Sequence, residues 1–409
     1  MDTHVLPHAA AWEAAGSCPP PRAGPGSRPA CPCSTCPRYN KTAEGVVLLP
    51  LDKLDAFHFL ILNDECARLP GGVASGLAGA NVIGLPRAAA RDRVPEAALA
   101  AGAVHGGHQF LPGRDGAVGR QRRRRPADHG GPVVALLRRH GHQEVDHGGA
   151  LGDAHDDRGA DGRGRVWGRG ISLLVIPLVE EEDGDTDRID TNPRERKRAK
   201  GITIEKIHNS GQNAGGASWV HLDHVRVPAE NLLGPENGGF KLLMSNFNKE
   251  RFVLAVSCNR QARTCLSTAL AYALERETFG QPLVHHQVIR HKLTTLARDV
   301  EAHWAWLEQI AYHVDHCPSK KGWQSESIAG RIALAKVSGG RILELAAREA
   351  QQVMGGVAYQ RDGPGGGGRV EQIARDLRMN VVGGGSEEIL NDLAFREEMK
   401  RARKLGAHL

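Results

Sequence analysis

Gly383-Gly384-Gly385-Ser386-Glu387-Glu388-Ile389, near the C-terminus, is the stretch on which the reading of this chain turns. Three glycines followed by Ser386 read as a loop that runs into a helix over Glu387 to Lys404, with Ser386 placed to cap it. Two other stretches belong with it: Asn248-Lys249-Glu250-Arg251 and Arg276-Glu277-Thr278-Phe279-Gly280. From Gly239 to Ala311 and again from Ser325 to Met354 the spacing is helical, with apolar stripes wide enough to pack on partner helices. Residues 239–409 therefore read as a helical bundle. Taken singly, each piece has an ordinary reading. Glu250 suits a surface residue paired at i, i+4. Arg276 to Gly280 suits a charged helix end closed by glycine, and Gln352-Val353-Met354-Gly355-Gly356 suits a helix C-cap.

Read jointly, these pieces resemble the acyl-CoA dehydrogenase family. The resemblance covers residues 170–409 well and 51–85 in part. It implies an α+β fold with N-terminal helices, a middle β domain and a C-terminal four-helix bundle that assembles dimers or tetramers. It also implies FAD, an acyl-CoA substrate, and a reaction in which a Glu removes the α proton while hydride leaves the β carbon for flavin N5. In the family that Glu comes either from the loop just before Gly-Thr/Ser or from a helix just before an Arg. Here the loop position is Gly384 and the helix position is Glu250, beside Arg251, similar to the long-chain and isovaleryl members. Asn248, Arg251, Gly384 and Gly385 are implied on the substrate side, with the glycine N–H groups near the thioester oxygen.

On the cofactor side the resemblance implies Arg276, Thr278, Phe279, His286 and Gln287, a segment that in the family reaches the flavin pyrophosphate of a neighbouring subunit, where an Arg fork suits paired oxygens. Gln352, Gly355 and Gly356 match its adenine contact, and Ser386 and Glu388 the flavin loop, where several members carry Gln in place of Glu388. Arg375-Asp376 reads as a structural pair. The electron acceptor implied is another flavoprotein or oxygen.

The rest of the chain departs from that pattern. Glycine makes up 50 of 409 residues and aromatics only 4%, so part of the chain is poorly suited to packing. Residues 1–50 read as disordered or corrupted, rich in Pro, Ala, Gly and Cys, with a short helical stretch near Ala9 to Ala15. Residues 51–86 read as a helical remnant, two helices broken near Pro70-Gly71-Gly72. Within Gln121 to Gly170 there are eleven Gly, ten Arg and five His, and Trp167 is the sole aromatic. Arg, Gly, His, Asp and Ala are what shifted GC-rich codons yield, so residues 87–169 read as low-complexity or out of frame. The family's other flavin motifs are absent there. Residues 170–238 resume a β domain, with strands at Gly170–Leu178, Gly201–Ile207 and Ala217–Val227.

Composition limits the alternatives. A net charge of +6 on nearly balanced acids and bases, with no basic stripe interleaved with aromatics, argues against nucleic acid. No run approaches the roughly 20 apolar residues of a membrane span, and the N-terminus lacks a secretory pattern, so the expectation is a soluble intracellular protein. Ala407-His408-Leu409 resembles a loosened peroxisomal address; mitochondrion and cytoplasm are the other compartments. Cys31, Cys33 and Cys36 lack a fourth ligand at zinc spacing, and Asp183, Asp185 and Asp187 lack the Gly and Glu of a calcium loop, so no metal is expected. The competing functional readings are a catalytically silent, flavin-less assembly subunit or non-functional product, and a flavin- and DNA-binding alkylation-response type suggested by Arg122 to Arg125.

Overall fold

A computed structural model describes residues 6–15, 54–74, 133–138, 171–176, 200–317 apart from 216, 224, 226 and 228, 322–404, and 406. The cysteine cluster, the calcium-like loop, Arg122 to Arg125 and the C-terminal tripeptide lie outside these residues.

Helix α1 (Leu6–Ala15) and helix α2 (Ala56–Cys66) come first. Asp55 caps α2 by accepting the His58 N–H at 2.9 Å, and the His58 ring returns to Asp55. Both carboxylate oxygens of Asp315, from a distant helix, take the Ala56 N–H at 3.0 Å. Two acids thus satisfy the donors of one helix start. After Pro70 the chain turns helical again, as the Ala74 N–H to Pro70 carbonyl bond records, which agrees with two helices broken at Pro70-Gly71-Gly72.

The middle region is antiparallel. Strands β1 (Val133–Arg138), β2 (Ile171–Ile176) and β5 (Leu232–Leu233) form one sheet with β2 central, and β3 (Ile202–Lys206) pairs with β4 (Ser218–Leu222). Along β3, Ile202 and Ile204 are buried while Thr203 and Glu205 are exposed, the period-2 pattern of a half-covered strand. They pack with Ile176 and Val220.

Within residues 87–169, Val133 to Arg138 pairs with β2 from Val133 against Ile176 to Arg138 against Ile171. The run Val133-Val134-Ala135-Leu136-Leu137 is a short apolar strand hidden in a Gly- and Arg-rich background. The short helical stretch expected near Ala9 to Ala15 is helix α1, Leu6–Ala15. Helix α1 buries Ala9 and Glu13, and the Glu13 carboxylate takes the Asn213 and Ala214 N–H groups, the first at 2.5 Å.

The C-terminal half is helical: α3 (Gly239–Glu275), α4 (Gln287–Asp315), α5 (Glu326–Met354), α6 (Gly367–Val382) and α7 (Glu387–Lys404). A small hairpin, β6 (Glu277–Thr278) with β7 (Gln281–Pro282), interrupts the helical spacing between α3 and α4. The first four helices make the expected bundle, and α7 covers α5 through Leu390, Leu393 and Ala394. On α3, Ala255, Cys258, Ala262, Cys265 and Ala269 are fully buried, and on α5 Ala335, Leu343, Ala346 and Ala350 answer them. Residues three and four apart carry small side chains, so the two helices approach closely. At Gly339 an added Cβ would lie 2.9 Å from the His303 ring and 3.2 Å from Cys258 Cβ, which explains glycine there. Helices α3 and α5 run parallel, since Phe252 and Ile328 share one core cluster while Ala273 and Met354 share the other.

Candidate active site

Glu250 and Arg251 lie in the body of α3, where the helix passes the loop between α6 and α7. The Arg251 Nε–H donates to the Gly384 carbonyl at 2.9 Å. Leu254, one turn beyond Glu250 and on its face of the helix, is the closest neighbour of a Cβ built on Gly384, at 2.8 Å. The glycine loop therefore packs against the stripe that carries Glu250.

Position 384 has φ +72°, so a side chain there would meet both a left-handed backbone and Leu254. This geometry accounts for the complementarity read in the sequence: the acid sits on the helix and the loop position is glycine. We expect Gly384→Ala to cost about 1–2 kcal/mol for the left-handed conformation alone, read as a lowered urea midpoint. An unchanged midpoint would count against this loop geometry.

Glu250 is half-buried, and among the described residues its carboxylate has no hydrogen-bond partner. Burial pushes its pKa from the usual 4.5 to about 7, with the positive charge of Arg251 pulling the other way. Burial likewise lowers Arg251 to about 10 while Glu250 opposes it. Arg251 is 7% exposed and lies 5.1 Å from the Phe247 ring centroid. It is anchored, so its work is to hold the loop. Asn248 is also committed inward, donating to the Trp323 carbonyl at 3.0 Å; Trp323 in turn packs on Phe252 at 4.9 Å between ring centroids.

The remaining sequence-read residues fall into two sets. Gly385, Ser386 and Glu388 accompany Glu250, with the Gly385 N–H closing on the Val382 carbonyl at 3.3 Å and Glu388 exposed on the first turn of α7. The other set lies at the far end of α3, roughly 38 Å along the axis from Glu250 at 1.5 Å per residue. There Thr278 Oγ1 meets His286 Nε2 at 3.2 Å, Phe279 is 96% exposed, and Arg276 and Gln287 are exposed. Because α3 and α5 run parallel, Gln352, Gly355 and Gly356 sit at this same end. Gln352 and Gly355 border an open groove between α5 and α6 with Arg348, Tyr359 and Arg378. One chain does not bring the two sets together.

Sequence reading named Asp376 but not its partners. Asp376 is 1% exposed and accepts N–H groups from Gly71 (2.9 Å) and Gln212 (2.7 Å). The expected Arg375–Asp376 pair is corrected: the Arg375 Nε–H donates to Glu371 at 2.6 Å, one helical turn back, so adjacent residues point to different sides. Lys336, 1% exposed, was also missed; a lysine amid apolar spacing was the available signal.

Residues 237–398 match the family described as acyl-CoA dehydrogenase, C-terminal domain. An acyl-CoA dehydrogenase of Alternaria alternata is 42% identical over 237 residues, which cover 58% of this chain and 50% of that protein. The C-terminal part of the chain is an acyl-CoA dehydrogenase C-terminal domain. An acyl-CoA dehydrogenase of Emericella nidulans is 37% identical, again over 58% of this chain and 50% of the other. The chain thus spans about half the length of the curated relatives it matches. An acyl-CoA dehydrogenase structure from Geobacillus kaustophilus superposes with a TM-score of 0.65, covering 97% of this chain and 94% of that one at 18% identity, which establishes the shared fold.

Acyl-CoA dehydrogenases use FAD, and each of the two separated sets of residues fits a part of that group. Cβ atoms added at Gly355 and Gly356 would meet nothing within 4 Å, so the backbone there is open to a planar ring. At the other end Ser386 follows the glycine loop beside Glu250.

Proposed function

We propose that this chain supplies the C-terminal half of a site that dehydrogenates an acyl-CoA thioester at its α and β carbons, with Glu250 as the base. The observation that carries this reading is a half-buried carboxylate without a hydrogen-bond partner among the described residues, raised to about 7, beside a glycine loop whose Gly384 carbonyl Arg251 holds. A base poised near the operating pH is what proton abstraction from a weak carbon acid needs.

Glu250 takes the α proton and holds it as a neutral acid, which its dry surroundings favour. The Gly384 N–H turns toward the thioester oxygen and stabilises the enolate-like charge as the proton leaves, since the Gly385 N–H is already engaged. Bound FAD would supply the hydride acceptor. Arg251 keeps the loop carbonyl turned inward, and Ser386 is the residue of this chain that would hold the cofactor beside Glu250. Arg276, His286, Gln352 and Gly355 would serve the site of a second copy, because they lie too far from Glu250 to share its site.

Titration of the FAD-loaded protein with a series of acyl-CoA thioesters, without oxygen, tests the reading. Bleaching of the flavin band by one range of chain lengths is expected; no bleaching with any thioester would overturn it. The pH dependence is a second check. Glu250 must be ionised to act, so the rate of flavin reduction should climb as pH rises through about 7 and level off above. A rate that falls over that interval would remove Glu250 as the base.

A further inference from the structure

We propose that Lys336 is a positioning residue for the glycine loop, holding from beneath the peptide groups that Arg251 does not reach. The Lys336 ammonium donates to the Val381 carbonyl and, at 2.9 Å, to the Gly385 carbonyl. Val381 belongs to the last turn of α6, whose carbonyls have no partner within the helix and gather partial negative charge. A cation from α5 therefore closes α6 and reaches on to the loop that follows it.

The two cations divide the loop. Arg251, from α3, holds the Gly384 carbonyl, and Lys336, from α5, holds that of Gly385. Each peptide unit is planar, with its N–H opposed to its C=O. Fixing these oxygens fixes the Gly385 and Ser386 N–H groups on the other side, the first of them against the Val382 carbonyl. Glycine backbones are free enough to flip, so something outside the loop must set their orientation. Lys336 has no carboxylate partner among the described residues, and burial brings its pKa down to about 8, with Cys258 opposing and Arg251 reinforcing that fall. A charge left in such surroundings is a cost to the fold; its compensation is the pair of carbonyls it holds.

The inference rests on the loop being the thioester and flavin side of the site, but its test does not require turnover. Hydrogen exchange at residues 382–386 is measured in the full chain and in Lys336→Met, which keeps the apolar stem and similar volume. Removing a charged donor should speed exchange at Gly385 and Ser386 about ten- to a hundredfold, with helical signal and exchange in α4 little changed. Exchange in the loop equal to wild type would overturn the inference.

If Lys336→Met fails to fold, the wild-type chain gives the answer as pH is raised from about 7 to about 9. Facing Lys336 are Arg251 and Cys258 from α3 and His303 from α4, which meets the neighbouring Ala335 carbonyl; farther along its helix Arg341 pairs with Glu387 of α7. Glu250, beside Arg251, itself titrates at about 7, so the same pH series is run in Glu250→Gln. Arg251 at about 10 stays charged, Cys258 at about 12 stays a thiol, and His303, lowered by burial, stays neutral. Arg341 and Glu387 remain ionised in their pair. Loss of the Lys336 proton should then lower protection at 382–386 relative to intrinsic exchange, and constant protection would overturn the inference. In the loaded protein, Lys336→Met should slow flavin reduction with less change in thioester affinity. If wild type reduces no flavin while the exchange result holds, the functional reading fails and the positioning role stands.

Discussion

Glu250→Gln abolishes flavin reduction and at the same time makes the protein more stable at alkaline pH. The two effects share one cause. The amide fills the same space and keeps the ligand site, but it accepts no proton, so the rate should fall by about 10²–10⁴-fold, the usual worth of a general base. Stability moves the other way. Between pH 4.5 and about 7 the folded chain holds a proton on Glu250 that the unfolded chain has released. Fewer protons are bound in the unfolded state, so stability declines as pH rises through that window. Above it, wild type carries a cost of up to about 3 kcal/mol that Glu250→Gln removes, less whatever solvent contact relieves. Urea midpoints at pH 5 and 8, set beside the anaerobic reduction rate, give both halves. A variant that still reduces flavin normally, or that is less stable at pH 8, would sink the assignment. Activity and stability in opposition at one residue are expected of a site acid kept where a neutral group would fit better.

The second large effect concerns the attachment of the N-terminal helices. Asp376→Ala should lower stability by about 3–5 kcal/mol. The carboxylate is buried and takes the N–H groups of Gly71 and Gln212 as well as the Gln372 side chain at 2.9 Å. Deleting it strands two backbone donors away from water. Gln212 is itself at φ 52°, a conformation held in place by these bonds. The urea midpoint should fall sharply, and residues 71–74 and 211–215 should lose exchange protection before the bundle does. Asp376→Asn, which turns an amide toward the same donors, should recover only part of the loss. A fall below about 1 kcal/mol would mean that the N-terminal helices are held chiefly by other contacts.

How much of this was legible in the sequence depended on the physics behind each element. The bundle was readable because its stripes repeat for many turns, so Cys258, Ala262, Cys265 and Ala269 announce a buried face by spacing alone. Strand β1 was not, because six residues without a polar alternation carry little signal inside an Arg- and Gly-rich run. Glu250 and Gly384 could be paired only through the family resemblance. Their geometric relation passes through Leu254, and a contact between residues 254 and 384 leaves no local pattern. The Arg375–Asp376 reading failed for a related reason: neighbours in a helix point about 100° apart, so adjacency in sequence opposes contact. Lys336 and the partners of Asp376 escaped notice because those contacts run largely to backbone groups, which have no letter in the sequence.

The seating of Glu250 within a helix of 37 residues has a mechanical side. Its backbone is hydrogen-bonded above and below, so the carboxylate stands on a stiff beam, whereas the facing jaw is three glycines sprung on two side-chain struts. Adjustment to acyl groups of different bulk then falls to the sprung jaw. A shorter acid on the beam, as in Glu250→Asp, would open a gap that the helix cannot bend to close.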